Sequence, residues 1–179
     1  MCLQKLLDSI RRKRETKIDP VLLGTQIVEK YGGRIANYVR RQKVPEITFS
    51  VTNDTNLQIA GTAGTNIILR KEYFRKITNT EARGIIIHEV AHAIQQAKQG
   101  GKGWLIEALA DFVRLQLGYG KSEWKKGDPR SSGYGSGAYF FKWLHDNKNH
   151  MYIIIVDAMN EGIVPKEINQ IVDDYLVNA

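Results

Sequence analysis

Cysteine is nearly absent from this chain. The only one, Cys2, permits no intrachain disulfide, which excludes a disulfide scaffold and a cysteine-ligated metal site. Long apolar runs are absent too. The longest, around Ile153–Val156, falls far short of the roughly 20 residues that span a membrane. The N-terminus, Met1-Cys2-Leu3-Gln4-Lys5-Leu6-Leu7-Asp8, lacks the apolar stretch of a secretory signal and runs into Arg11-Arg12-Lys13-Arg14. Cys2 would stand at a lipid-modification position only behind a cleaved leader, and it reads as a free thiol. Internal repeats and low-complexity tracts are missing, and no linker divides the chain.

Aromatic–basic interleaving, which stacks bases, is also lacking. The net charge of +7 is spread over the sequence apart from Arg11–Arg14 and Arg40-Arg41. It reads as a solvated basic face, and no nucleic-acid partner is expected. With 42% hydrophobic and 25% charged residues, the 179-residue chain has the composition of a globular protein that can bury a core unaided. The expectation is a single domain over residues 1–179, with 1–43 as a helical N-terminal extension.

Helical patterning covers residues 3–16, ended by Asp19-Pro20, then 21–31, stopped at Gly32-Gly33, and a short stretch over 34–42. Ile47-Thr48-Phe49-Ser50-Val51 alternates as a half-buried strand. Leu57-Gln58-Ile59-Ala60 and Asn66-Ile67-Ile68-Leu69 add two short strands, giving a small meander or hairpin. A helix from Thr80 to about Lys98 opens on Asn79-Thr80-Glu81, with capping oxygens and an acidic first turn, and stops at Gly100-Gly101. Another follows over about 104–117. Residues 119–135 read as a long loop. Helices near 137–147, 149–160 and 165–177 finish the chain, with Pro165 in the first turn of the last.

The chemistry lies in His88-Glu89-Val90-Ala91-His92. Two histidines four apart share one helical face, with Cβ atoms about 6 Å apart, and can meet one zinc ion. Glu89 projects beside that metal, where it can act as general base toward a metal-activated water. On its own the pattern also fits helix histidines satisfied by ordinary contacts. Its setting after Ile85-Ile86-Ile87 argues for metal, because polar rings beside so apolar a run need a partner.

A catalytic zinc site takes three protein ligands and leaves a fourth position open. Metzincins would require Gly at 95 and His at 98, whereas this chain has Gln95 and Lys98. The better third ligand is Glu107, fifteen residues after His92 and beyond a glycine-rich turn. Asp111, one turn further on, would accept the second ring proton of a ligating histidine. The alternatives are the swapped assignment and a solvent-exposed carboxylate pair. Tyr134, in Ser132-Gly133-Tyr134-Gly135, is the candidate oxyanion donor, weighed evenly against a loop aromatic that only packs; Tyr139 stands in reserve. His145 and His150 lack partner spacing and read as ordinary histidines.

The stretch from Ile85 to about Lys142 resembles the plant basic secretory protein family and its bacterial relatives. The resemblance is carried by His-Glu-Val-Ala-His at 88–92 with Gln95, Leu-Ile-Glu-Ala-Leu-Ala-Asp-Phe-Val-Arg-Leu at 105–115, Gly118-Tyr119, Trp124, Gly133-Tyr134 and Ala138-Tyr139-Phe140. Ile67-Ile68-Leu69 before Tyr73 is similar as well, while residues 1–43 show no clear likeness. The resemblance implies an α+β, thermolysin-like zincin (gluzincin) domain: a small mixed sheet packed on the active-site helix, then a helical C-terminal part. It implies zinc held by His88, His92 and Glu107, Glu89 as catalytic base, and a peptide or protein substrate. Ala108 departs from it, because the family usually has glycine there. It also implies an extracellular setting, which the missing signal sequence does not support.

The leading expectation is therefore zinc-dependent peptide hydrolysis. A zinc-stabilised binding or defence protein of the same fold, without catalysis, is the alternative. A basic nucleic-acid binder with incidental histidines would instead show steeply salt-dependent binding and carry no metal.

Overall fold

The computed structural model describes residues 18–131 and 134–179. The helix expected over residues 3–16 lies outside them, as do Ser132 and Gly133. The architecture is α+β: seven helices and one three-stranded mixed sheet among the described residues.

Helix α1 spans Pro20–Tyr38 without a break. Asp19 caps it by accepting from the backbone N–H groups of Val21 and Leu22. The expected stop at Gly32-Gly33 does not occur. A helix-interior glycine costs up to about 1 kcal/mol against alanine, but here Leu23, Ile27, Tyr31 and Ile35 bury one face and hold the helix together. Its glycines serve close approach instead. A Cβ on Gly24 would lie 2.5 Å from the Phe49 ring, and one on Gly32 would lie 3.3 Å from the Val44 methyls. From Pro20 onward this segment shares its core with the histidine-bearing helix.

The strands are β1 (Thr48–Thr52), β2 (Ala60–Ala63) and β3 (Asn66–Arg70). Their order is β1-β3-β2, with β1 parallel and β2 antiparallel to β3, so the sheet is not a meander. Leu57–Ile59 do not form the expected strand. Turns at Thr52 and Asp54 carry the chain round, and the Arg70 side chain donates to the carbonyls of Leu57 and Gln58. The Ile59 carbonyl accepts from Arg70 N–H at 2.9 Å, the strand itself runs from Ala60, and β2 becomes an edge strand beside the histidine-bearing helix. Central β3 turns Ile67 and Leu69 into the core.

After the short α2 (Lys71–Phe74) comes α3 (Asn79–Gln95). Its cap is Thr78, one residue before the expected start, whose hydroxyl accepts from the Glu81 N–H at 3.2 Å. Residues Gly84 to Ala91 are all buried, so α3 is the central helix of the molecule and not a one-sided amphipathic one. It ends at Gln95 because Gln96 turns left-handed at φ 43°, three residues before the expected end. The Arg41 guanidinium closes that end, its Nε donating to the Gln95 carbonyl at 2.7 Å.

Helix α4 (Gly103–Gln116) packs on α3 and on α5 (Ser136–Asn147). Between them the long loop carries one 3-10 turn, Pro129–Ser131. Helices α6 (Asn149–Asn160) and α7 (Ile168–Asn178) complete the fold. Pro165 precedes α7 by three residues instead of entering its first turn, and a turn closed by Ile168 N–H on the Pro165 carbonyl leads into the helix.

Candidate metal centre

Helix α3 carries His88, Glu89 and His92; α4 carries Glu107 and Asp111. Packing the two helices together brings His88, His92 and Glu107 to one point, their ligand atoms all lying within 4.8 Å of one another. The Nε2 atoms of the two histidines are 3.0 Å apart. Glu107 Oε2 lies 3.1 Å from His88 Nε2 and 3.6 Å from His92 Nε2. A tetrahedral ion with bonds of about 2.0–2.1 Å separates its ligand atoms by about 3.3 Å, so these spacings fit one ion. Two imidazoles and one carboxylate form a donor set that divalent transition metals accept, zinc among them.

The Nδ1–H of His88 donates to Asp111 Oδ1 at 2.7 Å, because a carboxylate can only accept. That bond turns Nε2 of the ring toward the shared point. Asp111 Oδ2 accepts the Gly135 backbone N–H at 3.0 Å, so one buried carboxylate joins α3, α4 and the start of α5.

Burial disfavours a charge on His88, yet its hydrogen bonds to Asp111 and Glu107 outweigh that and raise its pKa to about 10. Burial likewise works against ionised Glu107, and the hydrogen bond from His88 together with the nearby His92 imidazole overrides it, holding the carboxyl well below its usual range.

Glu89 is buried beside the histidines. Its Oε2 accepts from the Thr62 hydroxyl of β2 at 2.6 Å. Tyr134 stacks on the His88 ring, with centroids 5.9 Å apart and planes at 20°, and remains half exposed. Burial and the nearby Glu107 carboxylate push its phenol pKa up, so the hydroxyl stays a donor. Tyr139 is directed elsewhere, donating to the Trp124 carbonyl at 3.4 Å. His145 packs against Phe112 and Tyr152, and His150 is exposed. Ala108 fits between Glu107 and Asp111 because it faces Gly137 of α5, which has no side chain to meet it.

Two cavities open on the centre. One, of about 490 Å³, runs toward the C-terminal end of α3 past Gly61, Thr62, Gln95 and Ile106. The other, of about 420 Å³, runs toward its N-terminal end. Ala60, His88, Glu89 and Tyr134 line both. The edge strand β2 borders this cleft.

Thr62, the Gly135 N–H and the Arg41 cap were not identified from sequence. Thr62 lies in Gly61-Thr62-Ala63-Gly64, which reads as a connection between strands; only the observed register makes it an edge-strand residue facing Glu89.

A family model described as a peptidase of plants and bacteria matches residues 26–175. The match reaches back into α1, beyond the motifs that carry the resemblance. No curated protein and no solved structure matches the chain. With most of its length covered, including both histidine-bearing and carboxylate-bearing helices, the chain belongs to the basic secretory protein family of peptidases of plants and bacteria.

Proposed function

We propose that the chain is a zinc-dependent peptidase with a thermolysin-like zincin fold, in which His88, His92 and Glu107 hold the metal and Glu89 is the general base. The observation that carries this reading is the convergence of the three donor atoms with the Glu89 carboxylate beside them in an open cleft. When bound, zinc would polarise the scissile carbonyl and acidify the attacking water. The fold reading is supported by a small mixed sheet whose edge strand flanks the histidine helix, followed by a helical remainder.

Each side chain then has a definable task. Asp111 fixes the tautomer and direction of His88. Glu89 takes the proton of the attacking water and passes it to the departing amine. Thr62 holds one Glu89 oxygen, which leaves the other for that transfer. The Tyr134 hydroxyl, whose ring stacks on His88 and which neighbours the Glu107 carboxylate, donates to the oxyanion as the carbonyl becomes tetrahedral. The outer edge of β2 offers backbone N–H and C=O groups to an extended peptide, which adds as a further strand.

The test is digestion of a broad peptide library by zinc-loaded wild type and Glu89→Gln. The variant should keep its zinc and lose turnover by about 100-fold or more. Equal cleavage by both proteins would remove Glu89 from the mechanism. Cleavage by neither, with zinc bound, would favour the non-catalytic binding protein.

A further inference from the structure

The cavity toward the N-terminal end of α3 contains polar groups that peptide hydrolysis at the metal leaves unused. Glu81, Arg114 and Lys121 meet on its wall beside Ile85 and Trp124. Arg114 is almost fully buried; its Nη2 donates to Glu81 Oε2 at 2.9 Å and its Nε to the Tyr119 carbonyl at 2.8 Å. Lys121 Nζ lies 2.9 Å from the other Glu81 oxygen. The guanidinium stacks 5.1 Å from the Trp124 ring.

This arrangement depends on two glycines. A Cβ on Gly84 would stand 2.5 Å from Arg114 Nε, and one on Gly135 would stand 2.9 Å from Trp124 Cδ1. Gly135 is also the residue whose N–H holds Asp111. The cationic wall and the metal centre are therefore built on the same helix and the same turn.

The charge of the wall decides what it accepts. Both oxygens of Glu81 are taken, and at this end of the cavity two cations stand against one anion, a local excess of positive charge, while the remaining two carboxylates of the lining, Glu89 and Asp111, belong to its other end. Arg114 commits two of its five N–H donors to these bonds, and Lys121 one of three, so donors remain. An incoming cation would meet two cations and find Glu81 already paired. Of the other carboxylates on the lining, Asp111 has both oxygens engaged by His88 and Gly135, and Glu89, held through one oxygen by Thr62, lies beside the histidines at the far end from Lys121.

We propose that this cavity receives a carboxylate of the substrate next to the scissile bond, with Lys121 and Arg114 as specificity residues. The carboxylate is an Asp or Glu side chain or the free C-terminus of a peptide. As a statement about substrates, this rests on the peptidase reading above.

Zinc-loaded protein would be titrated with N-acetylglutamate α-amide, N-acetylalanine and N-acetyllysine amide, following the Trp124 indole N–H by NMR. The first probe carries only a side-chain carboxylate, the second only a terminal one, and the third a cation. The expected result is a saturable Trp124 shift with one or both carboxylates, at about tenfold lower concentration than with the lysine probe. Lys121→Glu should weaken the carboxylate response by about tenfold or more. Arg114→Met is the more direct substitution, but its burial puts folding at risk, whereas Lys121 is a third exposed. No Trp124 response, equal responses to all probes, or a response that Lys121→Glu leaves unchanged overturns the proposal; the last would place the carboxylate on the metal. The library digest separates the two readings. Absence of cleavage with selective probe binding would sink the peptidase reading and keep the carboxylate site, while cleavage with unselective binding would do the reverse.

Discussion

The 2.7 Å hydrogen bond from His88 Nδ1 to Asp111 Oδ1 links the two helices that meet at the candidate metal centre. The same carboxylate also holds the Gly135 N–H, so both of its oxygens face donors. An asparagine in its place would present an amide N–H to one of those donors. Asp111→Asn should therefore weaken zinc binding by about 10- to 100-fold, measured by competition with a chelator. Unchanged affinity would show that the bond does not orient His88.

Tyr134 tests whether stacking or its hydroxyl matters. Tyr134→Phe keeps the ring over His88 and removes only the donor. The expected outcome is a fall in kcat of about 100-fold with KM and zinc content little changed. A kcat equal to wild type would reduce Tyr134 to a packing aromatic.

The metal-free protein should show a pH dependence set by His88 and Glu107. Because the His88 pKa is raised from 6.5 to about 10, its contribution to stability is complete below pH 6.5 and is lost as pH rises through about 10. The Glu107 pKa is depressed, so its contribution is present above its ordinary 4.5 and is lost as pH falls below that. Chelator-treated protein should melt at its highest temperature between about pH 4.5 and 6.5 and decline on both sides. Zinc-loaded protein should not show the alkaline decline, since Nε2 of His88 then carries no proton. A Tm that is flat from neutral to alkaline pH without metal would contradict this.

The α4–α5 contact tests how tightly the fold holds its carboxylates. A Cβ at Gly137 would lie 2.4 Å from the Ala108 Cβ, between Glu107 and Asp111 in sequence. Gly137→Ala should cost about 1–3 kcal/mol by denaturant unfolding and weaken zinc binding as well. Adding Ala108→Gly should recover part of the loss, despite costing up to about 1 kcal/mol of helix propensity alone. Strictly additive effects would mean that the two positions do not press on each other.

These contacts mark the boundary of what was legible beforehand. Helix α3 and the shared face of His88 and His92 follow from a fixed four-residue spacing, and the candidacy of Glu107 from a carboxylate amid apolar neighbours. Those are local signals. The continuity of α1 through Gly32-Gly33 depends on Val44 and the buried face of the helix, which propensity does not contain. The parallel pairing of β1 with β3 and the approach of Thr62 to Glu89 depend on strand register, which short strands leave open. Helix ends moved for local reasons: Gln96 turned left-handed before the glycines, and the chain entered α7 only after Pro165.

If His88, His92 and Glu107 together hold one zinc ion, metal stoichiometry must follow those three side chains. Purified wild type, His92→Ala and Glu107→Ala would be compared by elemental analysis after dialysis against buffered zinc. Close to one zinc per chain is expected in the wild type, with loss of most of it in both variants. Full zinc retention in Glu107→Ala, or none in the wild type, would contradict it.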